Sequence, residues 1–67
     1  MTDYLDNFTI FESGSVEDCY GWRGWTIYWD KHAHTGELYN PNGEFHTAGD
    51  SLEALAEEVA WHEEDES

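Results

Sequence analysis

Hydrophobic and polar positions alternate in short segments as far as Gly49 and follow a helical period after it. Residues 7–12, Asn-Phe-Thr-Ile-Phe-Glu, alternate with β-branched and aromatic side chains, which predicts a strand. Phe8 and Ile10 would share one of its faces, and Thr9 and Phe11 the other. Ser13-Gly14-Ser15 breaks the pattern, and the stretch Ser15 to Asp18 reads as a loop or a short turn of helix. From Tyr20 to Trp29 the alternation is strongest. Read as one strand, it points Trp25, Ile27 and Trp29 one way and Tyr20, Trp22, Thr26 and Tyr28 the other. Gly21 and Gly24 mark a bulge or a bend near its start.

Polar turn chemistry follows at Asp30-Lys31-His32 and Thr35-Gly36, and then Glu37 to Asn40 reads as a further strand. Asn40-Pro41-Asn42-Gly43 is a reversal, because Pro presets φ and Gly accepts a positive φ. Glu44 to Thr47 is the return strand. After Gly49 the period changes to that of a helix. Leu52, Leu55, Ala56 and Val59 recur at i, i+3, i+4 and i+7, with Glu53, Glu57 and Glu58 opposite. Asp50 and Glu53 have the spacing of a capping box. Trp61 falls about half a turn off the apolar stripe.

These elements predict an α+β fold: an antiparallel sheet of three to four strands with one C-terminal helix packed on one face. One domain spans residues 1–67, with fraying expected at 1–6 and 63–67. One helix cannot cover both sheet faces, so some of Phe11, Trp22, Tyr28 and Tyr39 should lie near solvent.

Charge changes the picture most. Sixteen of 67 residues are Asp or Glu, against two Lys or Arg, for a formal charge of −14. Two carboxylates about 6 Å apart repel by roughly 0.7 kcal/mol even in water. A domain of this size holds only about 3–10 kcal/mol of stability. Such imbalance points to a cause outside the fold, because ordinary soluble surfaces mix both signs. A strongly basic partner supplies one; a very salty cytoplasm supplies another. Low hydrophobicity with high net charge also suits disorder. The eleven aromatic residues and the clear periodic segments favour a core instead.

Direct binding to nucleic acid or to anionic membranes is disfavoured by repulsion. No stretch approaches the ~20 apolar residues of a membrane span, and no basic-then-apolar leader is visible. Cys19 is the only cysteine, so no internal disulfide and no CxxC knuckle can form, which fits a reducing cytoplasm. A zinc site from His32, His34 and a carboxylate is a minor reading. With no HExxH and no Cys pair, exposed turn histidines, no metal and no cofactor are expected. No phosphate loop, nucleophile elbow or kinase signature is present, so an enzyme is not expected.

Imitation of a polyanion is the functional reading of the acids. The candidate binding residues are Asp30, Glu37, Glu44, Asp50, Glu53, Glu57, Glu58 and Glu64, with Trp22, Tyr28 and Trp61 as aromatic hot spots. Glu53 and Glu57 lie about 6 Å apart along a helix axis, a spacing at which carboxylates could engage cations that normally hold phosphates.

With its aromatic strand Trp25-Thr26-Ile27-Tyr28-Trp29, its Asn40-Pro41-Asn42-Gly43 turn and its acidic helix from Asp50, the chain resembles the small acidic anti-CRISPR proteins of phages and mobile elements. Its character is nearest to those that mimic DNA against type I Cascade. That resemblance implies a cytoplasmic inhibitor in the host cell. It would occupy the basic PAM-side surface of the Cascade large subunit and block target DNA. A weaker local likeness is to HicB-type antitoxins, through the strand–GD–helix run Phe45 to Leu55. It implies a module neutralising a basic nuclease toxin. A haloadapted domain is the third reading.

Overall fold

The computed structural model describes residues 4–65, and the side chains of residues 4–63. A 3₁₀ turn, Tyr4–Asn7, leads into five strands and a helix: β1 Thr9–Ser13, β2 Glu17–Trp22, β3 Trp25–Asp30, β4 Thr35–Tyr39, β5 Phe45–Gly49 and α1 Leu52–Asp65. The strands form one antiparallel sheet in sequence order, β1-β2-β3-β4-β5. The α+β class and the single C-terminal helix are as expected, with a strand more than the three to four predicted.

The additional strand comes from Tyr20 to Trp29, which is a hairpin and not one continuous strand. Arg23 (φ 53°) and Gly24 (φ 87°) form a two-residue turn, and Trp22 pairs with Trp25 across it. Both central residues are left-handed, as a type I′ turn requires. Arg at the first of them is sterically disfavoured, by about 1–2 kcal/mol. Asn-Gly or Asp-Gly is the usual signal there, and its absence hid the turn. The expected orientation of Tyr20 and Trp22 is therefore reversed. Tyr20 lies opposite Ile27 and Trp22 opposite Trp25, so both share the face of Trp25, Ile27 and Trp29. The stretch from Ser15 to Asp18, read as loop or helix, contributes the start of β2.

That shared face carries the core. Phe8, Trp25, Ile27 and Leu38 meet Leu55, Ala56 and Val59 of α1, with Tyr4, Leu5, Tyr20, Trp22, Trp29 and Leu52 packed around them. Ile27, Leu38 and Val59 are fully buried. Each such side chain contributes about 1.5–3 kcal/mol by leaving water. Gly36 lets the helix approach: a Cβ there would sit 2.7 Å from Trp29 Cε3 and 3.0 Å from Leu55 Cδ1. The 3₁₀ turn packs on the helix, with Tyr4 and Leu5 against the core, within the 1–6 stretch for which fraying was expected. The helix runs to Asp65, into the 63–67 stretch expected to fray. Residues 1–3 and 66–67 lie outside the described residues.

The helix cap is Ser51, not Asp50. Ser51 Oγ accepts from the Ala54 amide (3.2 Å) and its carbonyl from the Leu55 amide (3.1 Å). Ser and Asp cap about equally well, so the adjacent pair left the choice open. With Ser51 as cap, Glu53 stands one position too early for a capping box.

Candidate partner-binding face

The helix covers one face of the sheet and leaves the other open. Alternation along the paired strands puts two rows of residues on the open face. One runs Thr9, Gly21, Thr26, Tyr39 and Phe45, and the next runs Glu12, Cys19, Tyr28, Glu37 and Ala48. At the end of the sheet, Glu17 and Asp30 pair on the same side. A bulge between Ile10 and Glu12 turns Phe11 over Gly21, whose missing Cβ would lie 3.3 Å from the Phe11 ring. Bulges re-aim single side chains in this way.

The result is an aromatic band with an acidic border. Tyr28 and Tyr39 meet edge to face at 5.3 Å, and Tyr39 and Phe45 at 5.8 Å. Phe11 is 59% exposed, Phe45 56% and Tyr28 37%. Aromatic rings of this size normally bury 150–250 Å² each, so leaving three of them open forgoes burial that a partner can complete. Glu12, Glu17, Glu37 and Glu44 flank the band and are exposed. Glu37 lies 3.5 Å from the Tyr39 hydroxyl and pushes that phenol's pKa up by its charge.

Neither Lys nor Arg is free to balance these acids. Lys31 Nζ sits 3.3 Å from Asp18 Oδ1 and also donates to the Gly14 carbonyl. Ser13 Oγ donates to the same Asp18 oxygen at 2.7 Å. The Ser13 hydrogen bond, followed by Lys31, holds Asp18 below the usual carboxylate range against the opposing effect of burial. Arg23 sits 3.4 Å from Glu63 and lies over the Trp22 ring. Cys19 is buried on the open side beneath this surface. Burial, then Glu12, Glu17 and Asp18, push its thiol pKa up.

The predicted binding residues divide between the two faces. Tyr28 and Glu37 fall on the open face, with Glu44 in the β4–β5 turn beside it. Asp30 lies at the same edge, but its Oδ1 accepts from the His32 and Ala33 amides at 2.9 and 3.0 Å. Those two bonds lower its pKa and shape the β3–β4 turn. Asp50, Glu53 and Glu57 are exposed at the helix start and on its outer side, where Ala54, Glu57, Glu58 and Trp61 border a shallow groove. Trp61 is 63% exposed. Trp22 is half-buried against Phe8, ring centroids 5.6 Å apart, on the core side.

Glu58 departs from the solvent-facing helix side expected for it. It is half-buried and turns toward β5, with Oε1 3.2 Å from His46 Nε2 and 3.4 Å from His62 Nε2. The Glu64 side chain lies outside those described.

Carboxylates thus occupy both broad faces, and charge alone does not select between them. The open face differs from the helix side in its contiguous band of rings, where, among the described residues, the helix side exposes the single Trp61. Phe45 was missed as a candidate; its pairing with Tyr39 across the reversal was the signal that could have found it. No family model, curated protein or solved structure matches the chain. No helix among the described residues is long and apolar enough to cross a membrane.

Proposed function

We propose that this chain is a binding protein, not an enzyme, whose open sheet face docks on a basic surface that a partner protein otherwise uses for nucleic acid. The observation that carries this reading is the band Phe11, Tyr28, Tyr39 and Phe45 bordered by Glu12, Glu17, Glu37 and Glu44 with no cation on that face among the described residues. Aromatic residues in the centre supply desolvated contact, and rim carboxylates supply steering and register. Lys and Arg side chains that hold phosphates would meet carboxylates instead. Counterions condensed on both surfaces leave on docking, as they do when such a surface binds DNA.

The partner nominated by the resemblance is the large subunit of type I Cascade, with its PAM-side surface blocked and the host cytoplasm as the setting. The test is competition. The purified chain should displace duplex DNA from Cascade at one inhibitor per complex, with affinity falling steeply as salt rises. DNA binding that is indifferent to a large excess of the chain removes Cascade as the partner.

One observation favours a second reading. Strand β5 passes into α1 through Gly49, Asp50 and Ser51, the strand–GD–helix order of HicB-type antitoxins. In that reading the same acidic face neutralises a basic RNase toxin. Inhibition of such a nuclease, without effect on Cascade, would select it. Cooperative melting seen only above molar salt would select haloadaptation over both.

A further inference from the structure

We propose that His46, Glu58 and His62 form a site for a divalent transition metal, zinc in the first place. Three potential ligand atoms converge on the helix side of the sheet, away from the open face. His46 Nε2 and His62 Nε2 are 3.1 Å apart, and Glu58 Oε1 lies 3.2 and 3.4 Å from them. Tetrahedral ligands about 2.0–2.1 Å from a zinc ion stand roughly 3.3–3.4 Å from one another. The triangle is therefore close to the size that one ion needs.

The scaffold that holds these atoms is independent of the ion. Alternation from Phe45, which points to the open face, puts His46 on the helix side, and the register shift there makes it the extra residue between the Tyr39–Phe45 and Leu38–Thr47 pairs. Glu58 and His62 are one helical turn apart and share a side of α1. Trp25 backs both rings, at 5.4 Å to His46 (interplanar 88°) and 5.5 Å to His62 (33°). Outside lies a cleft of about 350 Å³ bordered by Asn40, Pro41, Asn42 and Glu63, which leaves room for a fourth ligand such as water.

Without an ion, Glu58 Oε1 can accept from either Nε2–H, at 3.2 and 3.4 Å, while the two Nε2 atoms still crowd one another at 3.1 Å. A cation accepts all three lone pairs at once. Two imidazoles and one carboxylate are a set that zinc uses with a position left open. The −14 charge of the chain raises the local concentration of any cation. An ion here would clip β5 to the C-terminal half of α1.

The experiment is calorimetric titration of the full chain with zinc chloride in excess magnesium, which occupies the surface carboxylates. One zinc per chain is expected. Affinity should fall at least about tenfold in His46→Ala, Glu58→Gln and His62→Ala, and stay unchanged in His32→Ala/His34→Ala. Nitrogen-detected NMR of the unmodified protein gives a readout that no variant's folding can confuse. Zinc should shift the Nε2 signals of His46 and His62 together at one equivalent. Zinc uptake that leaves those two nitrogens unmoved, affinity no better than magnesium, or equal affinity in the three ligand variants would each overturn the proposal. Because the site lies across the sheet from the aromatic band, its failure leaves the docking face untouched, and the reverse holds too.

Discussion

Tyr39 stands edge-on to Tyr28, ring centroids 5.3 Å apart at 85°, on the face of the sheet that the helix does not cover. Two neighbouring strands thus present a preformed pair of rings to solvent. Rigid aromatic pairs lose little side-chain freedom on binding, which is why such residues concentrate interface energy. Tyr39→Ala and Phe45→Ala should each weaken partner binding by about 2 kcal/mol or more, the range of hot-spot truncations. Far-ultraviolet circular dichroism should show the same fold in both variants. Surface plasmon resonance checks the affinity, and a loss confined to one ring would place the contact at that end of the band.

The acids should separate by face. Glu12→Gln with Glu37→Gln should slow association and flatten the dependence of log K on log salt, since two steering charges leave the docking rim. Glu53→Gln with Glu57→Gln, on the far side, should change association less. Stopped-flow association at several salt concentrations distinguishes the pairs. The larger effect in the helix pair would move the docking face to α1.

Core packing makes its own prediction at Gly36. A methyl group there meets Trp29 Cε3 at 2.7 Å and Leu55 Cδ1 at 3.0 Å, with the Tyr28 carbonyl at 3.2 Å. Gly36→Ala should cost about 1–3 kcal/mol, as overpacking does. In a domain holding only several kcal/mol, that is a large share. Urea denaturation should show an earlier midpoint with an unchanged slope.

Cys19 supplies a reporter of the intact sheet. Burial first, then Glu12, Glu17 and Asp18, raise its pKa. The thiol in the folded chain should react with iodoacetamide at pH 8 at least about tenfold more slowly than in urea. Because the folded pKa is raised, the linked stability is fully present below the ordinary thiol pKa and lost as pH rises through the folded one. Melting temperature should therefore fall at alkaline pH, and Cys19→Ser should soften that fall.

At the acid end the sign is opposite. The Ser13 hydrogen bond and Lys31 depress Asp18, and the Ala33 and His32 amides depress Asp30. A depressed carboxylate contributes stability that is complete above its ordinary pKa and disappears as pH falls through its folded value. Removing the first cause with Ser13→Ala should bring acid unfolding on at a higher pH. An acid titration followed by Trp fluorescence measures the displacement, and an unmoved midpoint would mean that Asp18 does not couple to folding.

What could be read in advance was local. The helix stripe Leu52, Leu55, Ala56 and Val59 and the Asn40 to Gly43 reversal follow from periods and turn chemistry within a few residues. Both are present in the fold, with Gly43 at φ 85°. The Arg23-Gly24 hairpin escaped because Arg adopts the left-handed conformation there without the usual Asn or Asp. That single turn decided which way Tyr20 and Trp22 point. The two bulges escaped for a related reason: register is a property of the pair of strands, and alternation in one strand does not reveal a skipped partner. His46, Glu58 and His62 meet across separations of 12 and 16 residues, which only the helix-on-sheet packing closes. The acids set the charge sign that the proposed partner would carry, but the open aromatic band needed the sheet to be assembled first.

The most direct measurement is the footprint of a bound basic partner, read as amide and aromatic chemical-shift changes on the full chain saturated with purified Cascade. Changes centred on Phe11, Tyr28, Tyr39 and Phe45, and absent from Glu53 and Glu57, are the predicted result. A footprint on the outer side of α1 with the four rings unmoved would contradict it.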